Sequence, residues 1–248
     1  MNKAIIIAAG TGSRLLPMTK DTPKTLLKVG SKTILDTQID ALKKANINDI
    51  NIIVGYKSDK FLNRNEKLFH NLDFLKNNIL ESLFYAESAL NGDCLISYSD
   101  IIFKPKIVQD LIKSDDPISI VTDKDWEKSY INRTMHPHDE AEKAQYNEHN
   151  NLVKIGKSIS MNQTNAEFIG MLKLNPEGCK IFKEYYKIAK DKYLDKQFFS
   201  AKTFKQSYIT DFLSYLIYNN IMIKCIHTEG NWMEIDTIED YEKAQSFF

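Results

Sequence analysis

Short apolar, β-branched runs alternate with stretches of helical spacing through the first half of the chain. Residues 4–9 (Ala-Ile-Ile-Ile-Ala-Ala) read as a strand buried on both faces. Residues 25–29 look extended, and Ile34, Leu35, Ile39, Leu42 and Ala45 then follow a helical stripe with Ser31 or Thr33 as its cap. Residues 49–56 make a second buried strand, which completes a right-handed βαβ unit. Residues 57–78 are polar and irregular apart from a short strand near 67–69. A helix over 80–90 ends at Asn91-Gly92, a third strand covers 93–98, Pro105 opens a further helix, and a fourth strand covers 117–122.

From 123 to 164 the apolar density falls. Alternation near 130–134 and 152–155 predicts short antiparallel strands, followed by a strand over 168–174. Helices are predicted from Pro176 through Tyr185 and around Phe212–Ile217, with a late strand at 222–226 and a final helix capped by Thr237. No Gly/Ser/Pro linker or repeat divides the chain, so we expect one domain, residues 1–248, with halves at 1–122 and 123–248. The pattern predicts an α/β fold: three layers around a mainly parallel sheet, with a small antiparallel insertion in the second half.

Composition narrows the partners. Lys plus Arg and Asp plus Glu are both 33, so no global field draws the 248-residue chain to nucleic acid or membrane. Cys94, Cys179 and Cys225 are odd in number and far apart, which suggests buried reduced thiols. No run approaches the ~20 apolar residues of a membrane span. A cytoplasmic protein, monomeric or homodimeric, is the expectation.

The first strand runs into Gly10-Thr11-Gly12-Ser13-Arg14, and Thr22-Pro23-Lys24 follows closely. Glycines let the backbone turn and bring N–H groups to an anion, and Arg14 and Lys24 add fixed positive charge. The loop fits neither common glycine motif. Leu15 stands where G-x-G-x-x-G needs its last Gly, and no G-x-x-x-x-G-K-[ST] occurs. Asp100 follows a core strand at the end where ligands bind open α/β sheets, though such an Asp can equally be a turn cap. Glu234 and Asp236 share one face of a short extended segment, where Asp236 could be a second cap. His136 and His138 could share a strand face as metal ligands, but no third ligand is evident; we expect a loop or phosphate-adjacent role. Ser13 has no His-Asp pattern to make it a nucleophile.

The string A-A-G-x-G-S-R-L-x-P-x-T with P-K after it resembles the nucleotidyltransferases that make activated sugars and activated small alcohols. Weaker similarity over residues 77–83, 123–170 and 232–241 points to the branch that transfers cytidylyl groups, of the phosphocholine cytidylyltransferase kind. The resemblance implies Mg²⁺ held by Asp100 and Asp236, and CTP plus a small non-sugar phosphate (phosphocholine or phosphoglutamine type) as substrates for surface-polysaccharide modification. It implies nucleotide contacts from Ala8, Ala9, Gly10, Thr11, Gly12, Ser13, Asn78 and Ser82, with Arg14 and Lys24 on the phosphates. Acceptor contacts fall to Arg133, Lys157 and Glu167, and Trp126, Tyr130 and Trp232 could form an aromatic cage for an ammonium group. The 1–122 half would then hold nucleotide and the 123–248 half the acceptor. A sugar-1-phosphate nucleotidylyltransferase using UTP, dTTP or GTP shares the same loop and aspartates. A catalytically silent nucleotide-binding subunit is the third reading, against which all four charged residues speak.

Overall fold

The computed structural model describes residues 3–247. The first half comprises β1 (Lys3–Ala8), β2 (Lys28–Val29), β3 (Lys32–Thr33), α1 (Ile34–Lys44), β4 (Asp49–Val54), β5 (Lys67–His70), α2 (Ile79–Phe84), β6 (Cys94–Tyr98), β7 (Ile101–Phe103), α3 (Pro105–Leu111) and β8 (Ile118–Asp123). The second comprises β9 (Lys143–Tyr146), β10 (Leu152–Ile155), β11 (Ala166–Leu174), α4 (Pro176–Tyr193), α5 (Ile209–Tyr218), β12 (Lys224–Thr228), β13 (Trp232–Glu234) and α6 (Ile238–Ala244).

One nine-stranded sheet carries the order β10-β9-β11-β6-β1-β4-β5, with β8 and β12 continuing from the other side of β11. The β6, β1, β4 and β5 strands run parallel, whereas β11 is antiparallel to β6, β8 and β9. The alternation of β1 assigns its two faces. Ile5 and Ile7 join one core with Leu80, Leu83, Phe182 and Phe212 from α2, α4 and α5. Ala4, Ile6 and Ala8 join the other with Leu35, Ile39 and Leu42 of α1 and Val108 of α3. Three layers result, because a strand buried on both faces needs helices on both.

Thr33 caps α1 as expected: its side chain accepts from the Asp36 N–H. Three stretches differ from the predicted ones. The helix over 80–90 stops at Phe84 and resumes only as a short 3₁₀ turn, Glu87–Ala89. Residues 24–26 form a 3₁₀ turn before the β2–β3 hairpin rather than an extended run. No strand forms at 130–134, where a 3₁₀ turn (Trp126–Tyr130) leads into Asn132 at φ +59°, a left-handed conformation outside the extended region. Strands β7 and β9 have too little sequence of their own to announce them. At Gly170, where β11 bends at φ +78°, a Cβ would lie 2.5 Å from the Tyr98 ring, so only glycine lets that ring lie against the strand.

Candidate active site

The C-terminal end of β1 delivers the chain into the glycine loop. Gly12 has φ +63°, and a Cβ there would meet the Lys24 Cβ at 2.8 Å and the Thr19 Cγ2 at 3.2 Å. The glycine is therefore required twice, for its left-handed backbone and for the close approach of Lys24. The Thr19 hydroxyl donates to the Gly12 carbonyl at 2.9 Å and fixes the turn.

Asp100 and Asp236 are far apart in sequence, and a two-stranded ribbon unites them. Strand β7 begins one residue after Asp100 and pairs antiparallel with β13, Ile101 opposite Glu234. The Ile235 N–H donates to the Asp100 carbonyl at 2.8 Å and closes the join. The Lys24 ammonium lies between the two carboxylates, donating to Asp100 Oδ2 at 2.8 Å and Asp236 Oδ1 at 2.9 Å. Arg14 makes an ion pair with the second oxygen of Asp236. Asp236 is not the helix cap. The α6 box is built by Thr237 and Asp240, whose Oδ2 accepts from the Asp236 and Thr237 N–H groups at 3.1 and 2.9 Å. That leaves the Asp236 carboxylate to face the site.

Two cavities meet at these charges. The first, 430 Å³, is walled by residues 7–14 with Lys24, Asn78, Ser82, Asp100 and Asp236. The second, 300 Å³, shares Gly10, Arg14, Asn78, Asp100 and Asp236 with it and continues to Glu142, Lys157, Glu167 and Glu234. Both are of small-molecule size. A separate cavity of 500 Å³, between the β2–β3 hairpin and α1, holds none of these residues. Asn78 caps α2 through the Ile79 N–H, and its amide donates to the Gln206 carbonyl; the Ser82 hydroxyl is held by Asn71 at 2.7 Å. Both side chains thus form wall, already bonded to protein.

The second cavity is acidic. Glu167, in β11, accepts from the Tyr130 hydroxyl at 2.6 Å, and its other oxygen is buried without a partner. Glu142 accepts from Tyr98 at 3.2 Å and Thr210 at 3.1 Å. Burial raises the Glu167 carboxyl to about 8 and the Glu142 carboxyl to about 7, with the charge of Glu234 adding to both and their hydroxyl partners opposing. Burial also opposes charge on Lys24 and Asp236, but here the neighbours win. Asp100 and Asp236 hold the Lys24 ammonium well above its usual range, and His136, Lys24 and Arg14 hold the Asp236 carboxyl well below its own.

Two expectations need correction. Arg133 does not line the second cavity: its side chain, 6% exposed, donates to Asp240 at 2.7 and 2.9 Å and to Glu234 at 3.0 Å. A guanidinium so enclosed by carboxylates has no face left for phosphate. Nor do Trp126 and Tyr130 line a cage. They pack on Ala141 as a small core of their own, and the aromatic walls of the cavity are instead Tyr98, Phe168, Tyr208 and Trp232. Trp232 keeps its expected place, fixed by its indole N–H on Asp123 at 2.7 Å. Lys157 stands at the cavity mouth on Glu140 at 2.7 Å. The sequence places Glu234 on one face with Asp236, and Glu142 within the acceptor-half resemblance, but it does not announce His136 beside Asp236. No spacing rule joins the 136–142 segment to the 234–236 segment, because they lie about a hundred residues apart in the chain.

A pair of adjoining cavities, with Arg14 and Lys24 set against Asp100 and Asp236 near their junction and further buried carboxylates at one end, can hold a polyphosphate against a second small substrate. Residues 3–116 match the family described as nucleotidyl transferase. The chain is 35% identical to the CTP:phosphoglutamine cytidylyltransferase of Campylobacter jejuni, over 96% of this chain and 97% of that one. It is 40% identical to the choline-phosphate cytidylyltransferase of Streptococcus pneumoniae over 116 residues, 45% of this chain and 51% of that one. Its fold overlays that of the inositol-1-phosphate CTP transferase from T. maritima with a TM-score of 0.76, covering 100% and 96% of the two chains at 21% identity. The chain belongs to the nucleotidyl transferase family and is a transferase enzyme.

Proposed function

We propose that the protein transfers a cytidylyl group from CTP to a small phosphate bearing an amino group, releasing pyrophosphate and forming a CDP-linked product. The observation that carries this reading is the charge order along the joined cavities: glycine loop, then Arg14 and Lys24, then a cluster of buried carboxylates. Phosphates belong at the first two, and an ammonium at the third. The choice of CTP rests on the names of the relatives at 35% and 40% identity.

The reaction asks little covalent work of the chain. An acceptor phosphate oxygen, already anionic, forms the new bond to the α-phosphorus while the bond to the leaving pyrophosphate breaks in line. No proton moves, so no general base is needed. The barrier lies in bringing two polyanions together and in charge built up at the transition state. In this reading the N–H groups from Gly10 to Ser13 and the Arg14 side chain hold the β- and γ-phosphates, with Ala8, Ala9, Asn78 and Ser82 forming the nucleoside wall. Lys24 stands between donor and acceptor, and Lys157 at the mouth receives the acceptor phosphate. Glu142, Glu167 and Glu234 take the amino group. Arg133 acts through Glu234 and Asp240 as a positioning residue.

Asp100 and Asp236 fit the Mg²⁺ that this family's chemistry implies. Asp100 Oδ1 is buried without a hydrogen-bond partner, Asp236 Oδ2 is met by the Arg14 cation, and the other oxygen of each already shares one cation, Lys24. Bound there, Mg²⁺ supplies charge neutralisation on the phosphates. Enzyme working where CTP and Mg²⁺ are kept is cytoplasmic, and a CDP-linked product suits transfer to a surface polysaccharide.

Pyrophosphate release with Mg²⁺, crossing four nucleoside triphosphates against phosphoglutamine, phosphocholine and glucose 1-phosphate, tests the reading. Turnover with CTP and an amino-bearing phosphate is expected. Turnover confined to a sugar phosphate would reject it.

A further inference from the structure

His136 is buried, 3% exposed, and its Nδ1 has no hydrogen-bond partner. That nitrogen lies 3.3 Å from Asp236 Oδ2, the oxygen that also pairs with Arg14, and the ring Nε2 lies 3.6 Å from Glu234 Oε2. One ligand atom from each of His136, Glu234 and Asp236 falls within 4.8 Å of the others. Metal bonds of ~2.0–2.2 Å meeting near right or tetrahedral angles separate their donor atoms by ~3–3.5 Å, the spacing seen between the ring and Asp236. A buried imidazole set between two carboxylates, with one ring nitrogen outside hydrogen-bond geometry, is costly in protein and natural in a metal site.

We propose that His136, Glu234 and Asp236 form a second divalent-metal site, beside the Asp100–Asp236 pair and sharing Asp236 with it. The nitrogen donor sets its preference. Mg²⁺ takes oxygen ligands almost exclusively, whereas an imidazole suits first-row transition ions. The neighbouring cations permit occupation: Arg14 has more than half its side chain exposed and can leave Asp236 for phosphate, and Arg133 is committed also to Asp240. The 131–137 loop is anchored for the task. The Thr134 and Met135 N–H groups donate to Glu239 at 2.9 and 3.1 Å, and Tyr130 and His138 stack beside the ring's own contact with Tyr130.

The test is electron spin-echo spectroscopy of Mn²⁺ bound to the full, nucleotide-free chain, with and without ¹⁵N-histidine. Nitrogen modulation that changes with the isotope is expected in the native protein and in Asp100→Asn. It should vanish in His136→Asn, with Mn²⁺ affinity falling by ~10-fold or more. Oxygen-only coordination, unchanged affinity in His136→Asn, or no bound Mn²⁺ would overturn the proposal. Should His136→Asn fail to fold, the isotope effect in the native chain decides alone. The site does not depend on the acceptor, and Mg²⁺–CTP turnover of the same preparation separates its failure from that of the proposed function.

Discussion

At the scale of single residues, two side chains carry states that their types would not suggest. Glu167 holds its proton at neutral pH because burial and Glu234 disfavour its charge. Its folded pKa of about 8 lies above its unfolded value, so its contribution to stability is complete below about 4.5 and is lost as pH rises towards 8. Between those limits the unfolded chain has released a proton that the folded chain keeps. Thermal unfolding followed from pH 5 to 8 should therefore show a steeper fall in the native protein than in Glu167→Gln, whose amide keeps the Tyr130 bond. Equal slopes would show that the carboxyl is ionised throughout.

Lys24 is the second case. Its ammonium lies between Asp100 and Asp236, in the place that a metal cation on those carboxylates would take. Lys24→Met should thus bind Mn²⁺ more tightly than the native protein when no nucleotide is present, by calorimetry. The same variant should lose ~10²-fold or more in kcat, as removal of a transition-state donor does. A variant that is slower but binds metal no better would leave the residue its phosphate role and remove its place-holding one.

At the scale of elements, the decisive unit is the β7–β13 ribbon with the α6 N-terminus behind it. It joins two carboxylates from positions 100 and 236, and Arg133 pins the 131–137 loop to its far side. Arg133 and Asp240 are both almost fully buried. Removing one member of a buried pair leaves the other charge stranded, at a cost of ~3–5 kcal/mol. Arg133→Ala should accordingly lower the denaturation midpoint sharply. A phosphate ligand would behave otherwise, raising the acceptor KM of a protein of native stability. Arg133→Lys should not rescue, because an ammonium cannot span Asp240 and Glu234 with one planar fork.

At the scale of the whole molecule, a neutral chain creates a strongly polarised cleft. The balance of 33 basic and 33 acidic residues says nothing of that local order. The sequence by itself determined the layered α/β fold. The strand at 4–8 is apolar on both faces, that at 49–54 carries a continuous apolar run at its end, and the stripe at 34–44 makes a helix that covers them. It also determined the glycine loop with Arg14 and Lys24, because those residues are close in the chain and constrain one another through backbone geometry. Asp100 and Asp236 were legible as strand-end carboxylates, and only the structure freed Asp236 from the capping role that Thr237 and Asp240 fill. The tertiary structure alone decided the acidic cavity, the seat of Arg133 and the company of His136. Those depend on which distant side chains are buried against one another, and burial of a charge is settled by its partners, which periodicity does not record. A strand of three residues such as β7 or β13 has no pattern to read, yet pairing the two fixes both aspartates.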